Sequence, residues 1–302
     1  MKNKIVIIGC GNVGMSYAYA LINQKTSVKR LVLIDFDKKR LEGEVMDLNH
    51  GIPFAPSRVA IKQGDYTDCK DADIVCICAG ANQEVGETRL DLLEKNSAIF
   101  KNIVESVVDS GFDGIFLIAT NPVDVMTYVT YKYSKFSHNK VIGTGTTLDT
   151  ARLRYLVGER LKLNAKNIHA YVLGEHGDSE FVAWSNAVVG TSKITKYIKK
   201  EEAESIALSV KNAAYEIIER KGSTHYAIGM VLVRITNAIL NSEHTILTVS
   251  SYDSKNDIFI GKPSIVSRKG VVGFMPVSVN KEELNLYQKS VEIIKNEVNK
   301  IN

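Results

Sequence analysis

The sequence of 302 residues predicts a doubly wound α/β sheet followed by a second unit of mixed α+β structure. Short runs rich in Val, Ile and Leu, without polar alternation, alternate with helix-length amphipathic segments through the first half of the chain. Such runs are typical of parallel strands that are buried on both faces and joined by crossover helices. After about residue 148 the pattern changes to longer helices and to strands separated by Gly and Pro, which indicates the mixed unit.

Strands and helices alternate in the first half. The predicted strands cover residues 4–9, 30–35, 74–79, 115–119 and 140–143. The predicted helices cover residues 12–23, 38–49, 87–109 and 123–133. Because each of these helices is long enough to cross over the sheet, consecutive strands are expected to run parallel.

The second half of the sequence predicts longer helices and antiparallel strands. Apolar residues over 203–218 keep the spacing of one helical face, and 226–240 is a second, more apolar helix. The other predicted elements are antiparallel strands at 245–251, 258–260, 264–267 and 271–274 and a last helix at 281–299. Because no Pro/Gly-rich linker separates the halves, we expect two domains, 1–143 and 144–302, that pack together without a flexible hinge.

Composition excludes several classes of protein. Lys and Arg number 38 against 34 Asp and Glu, with no run of five like charges, so no nucleic acid partner is expected. The most apolar stretches have six to eight residues, far short of the roughly 20 that span a membrane, so no membrane partner is expected. No cleavable signal segment precedes the first strand, which indicates a cytoplasmic protein. The four cysteines lack CxxC spacing and a His cluster, so we expect reduced thiols and no metal site.

A glycine-rich motif, GCGNVG, follows the first predicted strand directly and opens the first helix. Glycines at these spacings allow a tight turn and a close approach to a pyrophosphate, as in Rossmann-type sheets. Asp35 ends the next strand, where a carboxylate can bind an adenosine ribose and repel a 2'-phosphate. The alternative is an ordinary strand-to-helix turn with a surface Asp. The residues of this motif that we expect to bind a dinucleotide are Gly9, Gly11, Asn12, Val13, Gly14 and Asp35.

Two more segments follow predicted strands, at the edge of the sheet where ligands bind in such folds. The loop 79–90 carries two glycines that could serve as flexible points, and Asn121 follows the strand at 115–119. The alternatives are a solvated connection with an exposed Arg, and a helix start for which Pro122 suits the first helical position.

Candidate catalytic groups lie just beyond the first half. Asp149 and Arg152 are three residues apart on one face of a predicted helix, and His176 is flanked by glycines. A histidine whose charged form is stabilised by a carboxylate is a general acid near neutral pH. Sequence spacing alone does not bring Asp149 to His176, and an exposed ion pair of Asp149 with Arg152 is the alternative.

Together these segments resemble the NAD-dependent L-2-hydroxy-acid dehydrogenases, and among them the bacterial L-lactate dehydrogenases. The likeness covers nearly the whole chain, from Ile5 to the last helix. The matching stretches, in order, are GxGxVG, DLNHG, AGANQ, GETRLDL, ATNPVD, GTGTTLDTARLR, GEHGDSE and KGSTHYAIGM. Several motifs in the right order are far more specific than any one of them.

The resemblance implies a role for each catalytic candidate. His176 is then the acid/base, Asp149 its orienting carboxylate, Arg152 the bidentate partner of the substrate carboxylate, and Arg89 the group that polarises the ketone when its loop closes. Hydride passes from the nicotinamide to C2 of a 2-keto acid while His176 supplies the proton. The implied substrate-binding set is Gln83, Arg89, Asn121, Asp149, Arg152 and Thr224.

The resemblance also implies NAD as the cofactor and adds further residues to its binding site. One of them, Ile228, would press on the nicotinamide. The additional cofactor-binding residues are Arg40, Tyr66, Gly80, Ala81, Asn102, Thr120, Asn121, Thr144 and Ile228.

Substrate choice depends on Gln83, because the related malate enzymes look to carry an arginine there for the second carboxylate of oxaloacetate. A neutral Gln83 favours pyruvate and L-lactate. One alternative is a dehydrogenase for bulkier 2-keto acids. Another is a catalytically silent dinucleotide sensor, which the presence of Arg89, Asp149, Arg152 and His176 disfavours.

Two basic residues, Arg154 and His169, have no role in the proposed catalysis. Arg154 projects about 200° away from Arg152 on the same helix, so it cannot share the pyruvate site. In allosteric bacterial lactate dehydrogenases, which the chain resembles here, an arginine and a histidine at the positions of Arg154 and His169 bind fructose 1,6-bisphosphate between subunits of a homotetramer. The alternative is that both are solvated surface residues.

Overall fold

The computed structural model describes residues 3–81 and 89–301, without the side chains of residues 89–91. The strands of the first half are β1 (Lys4–Ile8), β2 (Arg30–Ile34), β3 (Ala60–Gln63), β4 (Ile74–Ile77), β5 (Ile115–Ile118) and β6 (Val141–Gly143). Its helices are α1 (Asn12–Asn23), α2 (Lys38–Gly51), α3 (Arg89–Asp109) and α4 (Val123–Ser134). The predicted central strands and crossover helices are therefore present.

The second half begins with a helix and continues with short strands. Its helices are α5 (Thr147–Leu161), α6 (Lys200–Lys221), α7 (Tyr226–Leu240) and α8 (Lys281–Lys300). Its shortest strands are β7 (Ile168–His169), β8 (Val172–Leu173), β9 (Phe181–Val182), β10 (Val188–Val189) and β11 (Ser192–Lys193). The remaining strands are β12 (Thr245–Leu247), β13 (Ser250–Asp253), β14 (Ile258–Gly261), β15 (Ser264–Ser267) and β16 (Gly270–Phe274).

One large sheet organises the part of the chain that the structure describes. Its strand order is β14-β13-β6-β5-β4-β1-β2-β3, with β1 to β6 parallel and β13 and β14 antiparallel. The order reverses between β1 and β4, and ligands bind beyond the carboxyl ends of the strands at such a switch point. This architecture confirms the predicted doubly wound sheet.

Helices cover both faces of the sheet because alternate strand residues point to opposite sides. On one face, Ile5 and Ile7 of β1 belong to an apolar cluster with buried residues of α1 and α7. On the other face, Val6 and Ile8 belong to a cluster with residues of α3, α4 and α8. Helices of the second half thus bury strands of the first.

Two predictions about elements were wrong, and one strand of the large sheet was missed. The single strand predicted at 245–251 is two strands in different sheets, β12 and β13. Between them Thr248 turns toward α5, where its hydroxyl lies 2.9 Å from that of Thr150. Strand β3 was missed because it buries only Ile61 and therefore lacks an apolar run. Pro122 precedes α4 at its N-cap, with a cis Asn121–Pro122 peptide bond, instead of occupying the first helical position.

All four cysteines are free. Among the described residues, every helix is too short or too polar to cross a membrane.

Candidate active site

The turn between β1 and α1 is built so closely that two of its glycines have no room for a side chain. Gly9 has a φ of +90°, and a Cβ there would lie 2.3 Å from the backbone nitrogen of Ala79. A Cβ at Gly14 would lie 2.1 Å from the carbonyl oxygen of Gly9. Gly11, by contrast, is the N-cap of α1, and a Cβ there would meet nothing within 4 Å. The turn therefore leaves open space at a helix N-terminus that no side chain caps, which suits a phosphate group.

Asp35 lies beside this turn at the end of β2. Its Oδ2 accepts a hydrogen bond of 2.6 Å from the backbone N–H of Cys10, and its Oδ1 accepts one from the N–H of Asp37 at 3.1 Å. The half-buried carboxylate thus belongs to the glycine turn itself. This placement fits the expected contact with ribose hydroxyls.

The ends of β4, β5 and β6 bring further candidates to the same edge of the sheet. Thr120 donates from its hydroxyl to the carbonyl oxygen of Ala79 at 2.7 Å, and Thr144 donates from its N–H to Ile118 at 2.9 Å. Gly80 lies so close to Thr120 that a Cβ on it would be 2.7 Å from the methyl carbon of that threonine. These contacts bring the candidates after β4, β5 and β6 next to one another.

The N-terminus of α7 reaches the glycine turn from the second half. The amide of Asn12 donates to the hydroxyl of Ser223 at 3.1 Å, which places the neighbouring Thr224 near the start of α1. Ile228 packs, half-buried, against the core on the α1 side. Thr224 therefore lies close to the glycine turn, and Ile228 lies on α7, the helix that packs against α1.

Five other candidates are not brought together by described contacts. In the part of the chain that the structure describes, no hydrogen bond or ion pair joins Arg40, Tyr66 or Asn102 to the glycine turn. Gln83 lies outside the described residues. Arg89 is the first residue of α3, but its side chain is outside the description as well.

The catalytic candidates do meet. His176 Nδ1 lies 2.7 Å from Asp149 Oδ2, and Arg152 Nη1 lies 2.7 Å from Asp149 Oδ1. The side chains are 2% exposed for Asp149, 13% for Arg152 and 23% for His176. The alternative of an exposed ion pair is therefore wrong: Asp149 is buried and bonds the two cationic groups with its two oxygens.

Charge in this cluster favours a protonated histidine. Burial alone would lower the pKa of His176, but the charge and hydrogen bond of Asp149 raise it to about 9. For Asp149, burial alone would raise the pKa, but the charges of His176 and Arg152 hold it below its usual range. Near neutral pH the pair is an imidazolium beside a carboxylate, an arrangement that can donate a proton from Nε2.

A second carboxyl group, that of Glu180, lies against this pair, and it was assigned no role from the sequence. The side-chain ligand atoms of Asp149, His176 and Glu180 all lie within 4.8 Å of one another. Burial, followed by the charge of Asp149, raises the pKa of Glu180 to about 9, so this carboxyl group is neutral near pH 7. The motif GEHGDSE contains Glu180, but its spacing from His176 across a loop did not indicate that its side chain points toward His176.

A third carboxyl group, that of Asp124, was also missed. It lies in the first turn of α4 and is 2% exposed. Its Oδ2 accepts a hydrogen bond of 2.8 Å from the backbone N–H of His176, and its Oδ1 accepts one of 2.5 Å from the hydroxyl of Ser250. Burial raises its pKa to about 6. The motif ATNPVD contained it, but nothing in the sequence linked it to a residue 52 positions away.

The two basic residues outside the catalytic cluster are placed differently from each other. Arg154 is half-buried, donates from Nε to the carbonyl oxygen of Ala170 at 3.1 Å and lies 5.3 Å from the centre of the Tyr171 ring. His169, the residue before Ala170, is exposed in β7 and pairs with Val188. Arg154 is therefore not a freely solvated side chain.

Comparison with known protein families decides what this arrangement belongs to. The family model for the lactate/malate dehydrogenase NAD binding domain matches residues 3–143, and the model for the alpha/beta C-terminal domain of the same family matches residues 146–302. The chain belongs to the lactate/malate dehydrogenase family. It is an NAD-dependent oxidoreductase, and the glycine turn and Asp35 fit NAD.

Within the lactate/malate dehydrogenase family, similar relatives are lactate enzymes. An L-lactate dehydrogenase from Bacillus pumilus is 52% identical over 303 residues, which cover 97% of this chain and 96% of that protein. A lactate dehydrogenase from a Medee basin deep-sea metagenome library has a TM-score of 0.96 at 49% identity, over 100% of this chain and 99% of that one. The minor L-lactate dehydrogenase from Enterococcus mundtii, in its ligands-bound form, has a TM-score of 0.96 at 44% identity, over 99% and 98% of the two chains.

Proposed function

We propose that the chain is an L-lactate dehydrogenase, which reduces pyruvate reversibly to L-lactate with NADH. The observation that carries this proposal is the buried cluster in which Asp149 bonds both His176 and Arg152. It supplies a proton donor and a cation for a carboxylate, which are the two groups that a 2-keto acid needs. The similar relatives named L-lactate dehydrogenase support the choice of lactate within the family.

The reaction divides between the cofactor and the chain's own residues. Bound NADH supplies the hydride for C2 of pyruvate. His176 donates its Nε2 proton to the carbonyl oxygen, and Asp149 on Nδ1 holds the ring orientation and stabilises the imidazolium. In lactate oxidation, neutral His176 accepts the hydroxyl proton. Because reduction needs protonated His176, whose pKa is raised to about 9, reduction is favoured below that pH and oxidation above it.

The substrate is held by groups around the catalytic pair. Arg152 binds the pyruvate carboxylate bidentately, which a lysine could not do. Asn121 hydrogen-bonds the reacting region, and Thr224 lines the pocket. Arg89, in the role that the family likeness implies, polarises the carbonyl and stabilises the charge that develops on its oxygen.

Substrate choice is the property that tests this function. Neutral Gln83 leaves the second carboxylate of oxaloacetate without a cation, so pyruvate is preferred. We expect NADH oxidation with pyruvate to exceed that with oxaloacetate by about 10²-fold or more in kcat/KM. Gln83→Arg should raise the activity on oxaloacetate and lower that on pyruvate. A parent chain that prefers oxaloacetate would refute the function, and one that prefers 2-ketoisocaproate would replace it with a dehydrogenase for bulkier 2-keto acids.

Regulation by fructose 1,6-bisphosphate in a cytoplasmic homotetramer extends the proposal. Arg154 donates to the carbonyl oxygen of Ala170, the residue after His169, which supports a cationic site for phosphate groups formed by these two residues from two subunits. Exposed apolar side chains on α1, α2 and α7 provide surfaces for assembly; they include Tyr19, Met46 and Met230. The free cysteines are compatible with a reducing compartment.

Activation assays at sub-saturating pyruvate test this regulation. The bisphosphate should tighten pyruvate binding and favour the tetramer in light scattering, because it binds the active state better. Arg154→Gln should abolish the response. Arg160→Gln, which changes an exposed arginine of the same helix paired with Glu202, is the matched control and should keep it. No activation of the parent, or equal activation of Arg154→Gln, would contradict the regulatory site.

A further inference from the structure

We propose that Asp124 is a positioning residue for the reaction, because it ties the main chain of His176 to the β5–α4 junction that carries Asn121. The inference rests on the proposed function only in that His176 is the proton donor. It concerns a residue that touches neither the proton nor the substrate and acts through His176.

Buried carboxylates bond His176 at two points, its backbone N–H and its ring Nδ1. Asp149 of α5 bonds the imidazole of His176 at Nδ1, whereas Asp124 of α4 accepts from its backbone N–H. The second oxygen of Asp124 accepts from the hydroxyl of Ser250 in β13. Asp124 thereby joins three elements: the helix after β5, the catalytic loop between β8 and β9, and the antiparallel strand that borders β6.

The position of Asp124 in the chain indicates that this connection aligns His176 with the bound substrate and cofactor. Asn121, a candidate substrate ligand, lies three residues earlier, just after β5. Strand β5 pairs with β4, and β4 pairs in turn with β1, which ends at the glycine turn. His176 arrives on a loop of the second half. Proton transfer requires its Nε2 to be placed against substrate and cofactor bound on the first half. A displacement of about 1 Å at such a site costs roughly 10²-fold in rate.

A buried carboxylate is an unusual group for a link that is only structural, because a buried charge destabilises the fold unless it is fully hydrogen-bonded. The groups that face it are Ser250 on β13 and His176 and Glu175 on the catalytic loop, with Asp149 of α5 behind His176. Burial raises the pKa of Asp124 to about 6, against the hydrogen bonds from Ser250 and His176. The ionised form accepts from both partners, and protonation below about pH 6 removes one acceptor.

The parent enzyme should therefore show an acid limb in pyruvate reduction, with kcat falling below about pH 6. His176 does not produce this limb, because its pKa is raised to about 9 and it stays protonated throughout. Glu180, whose pKa is also raised to about 9, stays neutral there. The acid limb is thus a signature of Asp124 that a structural role alone would not create.

Three variants test the proposal. Asp124→Ala removes both bonds and should lower kcat by about 10²-fold. Asp124→Asn offers one acceptor oxygen at every pH, as the protonated carboxyl does, so its kcat should stay near the lowered acid-side value of the parent and show no acid limb. Ser250→Ala keeps the bond to His176 and removes a bond that lowers the pKa of Asp124, so its acid limb should move to higher pH. NADH binding, followed by fluorescence, should stay within about threefold of the parent in all three because the glycine turn is untouched.

The outcomes separate cleanly. A parental kcat and acid limb in Asp124→Ala would overturn the proposal, as would an acid limb retained by Asp124→Asn. If Asp124→Ala does not fold, the pH profiles of Asp124→Asn and Ser250→Ala decide alone. If the parent prefers another 2-keto acid, the same profiles are measured with that substrate, so the proposed function can fail while this inference stands.

Discussion

The side chain of His176 is surrounded by carboxyl groups that burial and charge place in different protonation states. Asp149, bonded to two cations, has a lowered pKa, whereas the pKa of Glu180 is raised to about 9 and that of Asp124 to about 6. Environments that push the pKa values of neighbouring acids apart assign them separate tasks. Asp149 has the largest stabilising effect on the imidazolium charge, since its charge and hydrogen bond are the main causes that raise the pKa of His176.

Asp149→Asn tests this assignment. Without the carboxylate the pKa of His176 should fall from about 9, because burial then acts against the charged form. We expect kcat/KM for pyruvate reduction to drop by about 10²-fold or more and its alkaline limb to move to lower pH. Lactate oxidation, which starts from neutral His176, should suffer less. An unchanged alkaline limb in the pH profile would contradict the assignment.

A second residue-scale prediction concerns Asp35. The carboxylate that bonds the Cys10 N–H would meet a 2'-phosphate with like charge, so NADPH should be used far less well than NADH. Steady-state kcat/KM with each cofactor is the measurement. Comparable efficiency with both would remove Asp35 from its role.

Sequence reasoning reached only part of this site. The motif likeness paired Asp149 with His176, which the spacing of 27 residues could not do. The roles of Asp124 and Glu180 could not be predicted, because they arise from hydrogen bonds and burial that form only when the catalytic loop folds back on α4 and α5.

At the scale of elements, prediction succeeded where a continuous apolar pattern sets the structure. Helices α1 and α7 have the predicted bounds. The edge strand β3, with one buried residue, and the two-residue strands β7 to β11 were missed, because such short ladders are stabilised by contacts distant in sequence.

The glycine turn provides an element-scale prediction with a built-in control. Gly14→Ala forces a Cβ to within 2.1 Å of the Gly9 carbonyl oxygen and should lower the free energy of unfolding by about 1–3 kcal/mol. Gly11→Ala places its Cβ in open space, so stability should hold while NADH affinity falls, because that space is where a phosphate approaches. Thermal unfolding and NADH titration measure the two effects. Equal loss of stability in both variants would contradict this account of the turn.

At the scale of the whole molecule, the two halves share one sheet and its covering helices. Strands β13 and β14 extend the sheet beyond β6, and α7 packs against α1 so closely that a Cβ at Gly229 would lie 2.8 Å from Ser16. Separating the halves would expose the apolar faces that these elements cover.

This shared core predicts one cooperative unfolding transition in calorimetry for both halves. NADH at about 100 times its Kd should stabilise that transition by about 2.7 kcal/mol, because it binds only the folded chain. Two resolved transitions, of which NADH shifts only one, would show that the halves unfold independently.

The most direct test of the central claim is the turnover of His176→Asn, measured as NADH oxidation with pyruvate beside NADH binding by fluorescence. The asparagine keeps the backbone N–H that donates to Asp124, but its side-chain amide is too weak an acid to transfer a proton to the substrate. We expect NADH affinity to stay within about threefold of the parent and kcat to fall by about 10²- to 10⁴-fold. Near-normal turnover in this variant would contradict the account, because the proton would then come from another group.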